Sequence, residues 1–192
     1  MNERQLHEAF ARLRRLSGKI AERSGPGFVD VYSAHDGQLH LHKVTGTKSL
    51  SEFEDDLLNA VVWAWSLKDY LKEAAKAHGN DPQQIENLAN SSEALGLISD
   101  LANRSKHGSL RKSRSGRFAK LGEVSMSIPQ SAIRQITFSA SMVSTDVADA
   151  THVQFHAPVQ ADSGEVLAEA GECLVEAISI WENSGLRCAT GA

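Results

Sequence analysis

The chain has 192 residues, 41% hydrophobic and only 6% aromatic, with a net charge of −4. That suits a single domain, residues 1–192, whose core is built from Leu, Ile, Val and Ala. No apolar run approaches a membrane span, and Cys173 and Cys188 form no ligand pattern. The expectation is therefore a cytoplasmic protein, off the membrane, with two free thiols.

Residues 1–24 hold an amphipathic helix, with Leu6, Phe10, Leu13 and Ile20 on one side and Arg12, Arg14, Arg15, Lys19 and Arg23 on the other. Ser24-Gly25-Pro26-Gly27 stops it. Residues 28–44 alternate as two strands around Asp36-Gly37, a hairpin signal.

Residues 49–107 are helical. The longest helix starts at a capping box, Ser51-x-x-Glu54, with Ser49-x-x-Glu52 as an alternative register. Its apolar stripe includes Phe53, Leu57, Ala60, Val61, Ala64, Leu67 and Leu71. A short helix follows over 82–89, and Asn90 can cap the next one, which runs to Lys106 or His107 with Gly108 as its C-cap.

Residues 108–117 are a basic loop, expected to be mobile. Antiparallel strands are expected over 118–158: Phe118–Ile128, Ile133–Ser144 and His152–His156. A closing helix spans 166–182 and includes Trp181. Helices, then strands, then a helix again give an α+β fold, a helical bundle with an antiparallel sheet against it.

Charge is distributed unevenly. Between Leu101 and Gly122 there is no acid, while Arg104, Lys106, Arg111, Lys112, Arg114, Arg117 and Lys120 supply seven positive charges. Set against a net −4, those seven leave −11 for the rest of the chain. Such a segment suits phosphates of a nucleic acid, or an acidic protein partner. Lys106, Arg111, Lys112, Arg114, Arg117 and Lys120 are the candidate contacts.

On the helix before the loop, Gly96, Asp100, Asn103 and His107 share one face. The helix dipole favours an imidazolium at His107. Beside Arg104 and Lys106, that residue is a candidate general acid. Asp69, four residues after Trp65, is the candidate partner from the long helix. A structural reading of the same residues makes Asp69, Asp100, Asn103 and Lys106 one polar network. No Cys, His or carboxylate spacing marks a metal site, although His40 with His42 and His152 with His156 share strand faces. No phosphate loop, nucleophile elbow or other cofactor motif occurs.

The patterns W-x-x-K-D-Y-L (from Trp65) and D-L-A-N-R-S-K-H-G (from Asp100), a late D-S-G turn and a helix ending in Trp181 resemble a group of uncharacterised bacterial and phage proteins over residues 50–182. The helical frame also resembles HEPN domains. That resemblance implies a metal-independent ribonuclease of a toxin or phage-defence system, acting as a homodimer, with His107, Arg104 and Asp69 catalytic. The family spaces its Arg and His by four to six residues, whereas only Ser105 and Lys106 separate Arg104 from His107. The expected function is therefore a non-catalytic scaffold or binding domain, with the ribonuclease as the alternative.

Overall fold

The computed structural model describes residues 3–33 and 38–190, and within them the side chains from residue 4 to residue 184. The Asp36-Gly37 turn and the Cys188 thiol lie outside what is described. The fold is α+β, and the chain divides into two compact units, each built from separated segments.

The first unit comprises residues 1–19, 55–123 and 157–192. It holds most of α1 (Glu3–Ala21) and α2 (Leu50–Ala77), with α3 (Gln83–Ser91), α4 (Glu93–His107) and α5 (Ala170–Thr190). Leu57, Ala60, Val61, Ala64, Leu67 and Leu71 of α2 are fully buried, as their helical spacing requires. Leu13, Leu95, Ile98, Leu101 and Trp181 complete the core, and the Trp181 indole N–H donates to the Ala64 carbonyl at 2.9 Å. A three-stranded antiparallel sheet belongs to this unit, in the order β3 (Lys120–Leu121), β8 (Pro158–Gln160), β9 (Val166–Glu169).

The second unit comprises residues 20–54 and 124–156. Its main sheet runs β1 (Phe28–Ser33), β2 (Leu39–Thr45), β6 (Met142–Val147), β5 (Ile133–Phe138). A separate pair joins β4 (Ser125–Ser127) to β7 (Gln154–His156). Val44, Ala132, Val147, Ala150 and Val153 form its core, flanked by Phe28, Met126, Ile128 and Phe155. The capping box is Ser49 with Glu52: the Glu52 N–H donates to Ser49 Oγ at 3.1 Å, and the Ser49 N–H to Glu52 Oε2 at 2.9 Å.

Four expectations are corrected. The strand over Ile133–Ser144 is a hairpin, because β5 and β6 pair antiparallel. The strand over Phe118–Ile128 is two strands in different sheets, because β3 pairs with β8 and β4 with β7. The closing helix begins at Ala170, not Val166, because Val166–Glu169 pairs with β8. The strands are not all antiparallel, since the β5–β6 hairpin joins β2 through β6, which runs in the same direction. Among the described residues no helix is long and apolar enough to cross a membrane.

Candidate functional site: the seat of the basic loop

Helix α4 begins at Ser92, whose side chain accepts from the Leu95 N–H, and ends at Gly108 with φ 74°. The Gly108 N–H returns to the Arg104 carbonyl at 2.7 Å, closing the helix in the left-handed conformation that glycine adopts without strain. The chain then folds back over the helix face that carries Gly96, Asp100, Asn103 and His107.

Two features of that face admit the loop. A Cβ on Gly96 would sit 3.2 Å from the Ser115 Cα, so the missing side chain is what lets the backbones approach. Next to it, the Asp100 carboxylate is fully buried. It accepts from Ser113 Oγ and Ser115 Oγ at 2.5 Å each, from the Arg114 N–H at 2.8 Å and from the Ala119 N–H at 3.2 Å. Four donors replace the water that a carboxylate loses on burial. The segment expected to be mobile is therefore tied to the helix by hydrogen bonds.

Arg104 holds the far end of the loop. Its Nε donates to the Ala119 carbonyl and its Nη2 to the Phe118 carbonyl, both at 2.9 Å, and Nη2 also meets Asp162 at 2.7 Å. Phe118 has φ 52°, a region a bulky side chain rarely enters. Its N–H donates to Ser113 Oγ at 3.0 Å, so hydrogen bonds hold it on both sides.

Arg114 fastens the middle. Its Nη2 lies 3.2 Å from Glu86 and its Nη1 donates to Asn90, while the guanidinium carbon stands 4.9 Å from the Trp65 ring centroid. Glu86 also meets Lys72 at 2.7 Å and Lys68 at 3.1 Å. The hydrogen bond from Lys72, followed by the contribution of Lys68, pulls the Glu86 carboxyl down to about 2 against its burial. Lys68 covers the same indole, 4.8 Å from its centroid.

The seven cations thus divide. Arg104, Arg114 and Arg117 are paired, the last with Glu165 at 3.5 Å. Among the described residues the side chains of Lys106, Arg111, Lys112 and Lys120 have no hydrogen-bond or ion-pair partner. Arg111 and Lys112 line an open cleft of about 420 Å³ with Asn103, His107, Ser109 and Leu110. Lys106 and His107 are both exposed.

Asp69 makes no hydrogen bond or ion pair with α4 or with the loop among the described residues. Its side chain is 76% exposed, and its one ion-pair partner is Lys68, at 3.8 Å. Asn103 reaches Ser99 at 3.5 Å. The polar network expected of Asp69, Asp100, Asn103 and Lys106 thus falls into separate pieces, and Asp100 joins Ser113 and Ser115 instead. Sequence reasoning missed those serines and missed Glu86. The serines carried a signal: two hydroxyls two residues apart, in a loop leaving a helix with an inward Asp.

The strand histidines are dispersed. His40 stacks on Tyr32, His42 lies 3.2 Å from Thr145, and His156 lies 3.3 Å from Ser127. Among the described residues no group of three or more His, Cys, Asp or Glu could hold a metal ion. Comparison with protein-family models, with curated proteins and with solved structures gives no match.

Proposed function

We propose that this chain is a non-catalytic binding domain that grips nucleic-acid phosphates at the cleft beside the end of α4. The observation that carries the reading is the pairing pattern of the loop. Three cations build the loop, while adjacent Arg111 and Lys112 line the cleft with no counter-charge among the described residues. Two neighbouring cations on an anchored loop repel each other, and an incoming phosphate relieves that repulsion. The same anchoring lowers the ordering cost of binding.

Binding is preferred to ribonuclease chemistry because Arg104 already serves Phe118, Ala119 and Asp162. It is committed to the loop and not offered to a substrate. His107, exposed at the cleft, then acts as one more polar contact.

Titration of the full chain with RNA and with DNA over a range of salt tests the reading. Arg111→Ser/Lys112→Ser should weaken binding and flatten the slope of log K against log salt by about 1.4–1.8, the loss of two phosphate contacts. No salt-dependent binding at low ionic strength would sink the proposal. Chelator-resistant RNA cleavage that disappears in His107→Ala would replace it with the nuclease reading. Binding confined to a Glu-rich peptide would replace it with an acidic protein partner.

A further inference from the structure

A second cleft of the same helical unit lies between α1 and α2. Its volume is about 590 Å³, and Gln5, Glu8, Arg12, Arg15, Trp63 and Tyr70 are among its walls. That volume falls in the range of pockets that take small organic ligands. The residues of the 103–112 cleft take no part in it.

The aromatic wall is fixed in place. The Trp63 indole N–H donates to the Ala9 carbonyl at 3.0 Å, which sets the ring's orientation. The Tyr70 ring stands 5.9 Å away, tilted by 52°, and seven residues along the same helix. Both residues are half-buried. Among the described residues the Tyr70 hydroxyl has no hydrogen-bond partner.

The charge in the cleft is cationic. Arg12 places its guanidinium carbon 4.1 Å from the Trp63 centroid and has no carboxylate partner among the described residues. Arg15, three residues on, has no ion-pair or hydrogen-bond partner among them either. Glu8, the acid in the wall, pairs with Arg4 at 2.8 Å.

We infer that this cleft binds a nucleotide unit of a single strand, its base against Trp63, Tyr70 and Arg12 and its phosphates on Arg12 and Arg15. Every base has a π-face, and stacking beside a basic track is the general physics of single-strand binding. A guanidinium already resting on an indole can offer its other side to a base. The unpartnered Tyr70 hydroxyl supplies one hydrogen bond to a base edge or sugar. An acidic peptide would match Arg12 and Arg15 but leave the aromatic wall without a planar partner. The inference is independent of the proposal for the 103–112 cleft.

The test follows intrinsic Trp fluorescence of the full chain titrated with an eight-nucleotide oligoadenylate at low salt. Strand binding should quench the signal. Trp63→Phe should remove the quenching, while Trp65 and Trp181 continue to report the folded protein. Arg12→Gln/Arg15→Gln alters exposed residues and should weaken binding about tenfold or more. Arg111→Ser/Lys112→Ser should retain the quenching, which separates the two clefts. The inference is overturned if wild type shows no quenching, if Trp63→Phe is still quenched, or if the Arg12/Arg15 variant binds as wild type does. Quenching by a Glu-rich peptide but not by the oligonucleotide would reassign the cleft to an acidic partner.

Discussion

Asp100 Oδ2 lies 2.5 Å from Ser115 Oγ, and the Ser115 backbone rests against Gly96 one helical turn earlier on the same face. One residue supplies the attraction and the other supplies the space. Together they convert a chain of Ser, Arg, Lys and Gly into a surface with a defined arrangement of charge.

Removing the Asp100 carboxylate should cost much of that order. Asp100→Ala strands two hydroxyls and two backbone N–H groups in a buried site, which corresponds to about 2–4 kcal/mol. Urea unfolding monitored by tryptophan fluorescence measures the loss. A change below about 0.5 kcal/mol would mean that water reaches the site and that the carboxylate does not organise the loop.

The paired and unpaired cations should behave differently in the same loop. Arg114→Ala removes contacts to Glu86, Asn90 and Trp65 and should destabilise by about 1–3 kcal/mol. Arg111→Ser/Lys112→Ser should stay within about 0.5 kcal/mol of wild type. Equal losses in the two proteins, read from denaturant midpoints, would contradict the division.

Glu86 predicts an acid-labile contribution. Its carboxyl titrates at about 2 in the folded protein against a reference of 4.5. A depressed carboxyl pKa stabilises the fold above the unfolded value and ceases to do so as pH falls through the folded one. The stability gap between wild type and Glu86→Gln should be full at pH 7 and shrink between about pH 4.5 and pH 2. A gap that stays constant across that window would show that the Lys68–Lys72–Arg114 cluster does not depend on the charge of Glu86.

Cys173 should be chemically quiet. Burial, reinforced by Glu176, Glu172 and Glu93, pushes its thiol up to about 11, so almost no thiolate exists at neutral pH. In a Cys188→Ser protein, a disulfide reagent at pH 8 should find negligible reactive thiol until denaturant is added, and one equivalent afterwards. Rapid labelling of the native protein would be inconsistent with the buried position of Cys173.

Much of the helical architecture was legible because it depends on local spacing. The α2 stripe and the Gly108 cap each follow from residues within a few positions of one another, and the capping box was legible as a motif although its register is the alternative one, Ser49 with Glu52. Asp69 was misplaced by an inference that its neighbours already opposed. It lies two residues from both Leu67 and Leu71, about 200° around the helix from that fully buried line. The strand errors have another origin. Val166-Leu167-Ala168 suits either periodicity, and antiparallel pairing with β8 across the turn at residues 161–165 decides between them. The Asp100 site was half legible: the helix face could be read, but which loop residues would turn toward it depends on the path back from Gly108.

The parallel junction between β2 and β6 has a consequence for how the chain is made. Thr45 and Asp146, side by side there, are 101 positions apart in sequence. Residues 55–123, a major part of the other unit, are translated in between. At roughly 5–20 residues per second, β2 waits on the order of 5–20 s for its neighbour to leave the ribosome. Until then β1 and β2 are at most a lone ribbon, which is marginal in water. The unit whose first strands are made early is therefore the one whose sheet is completed late. During that interval the second unit's strands lack the partner that completes their sheet.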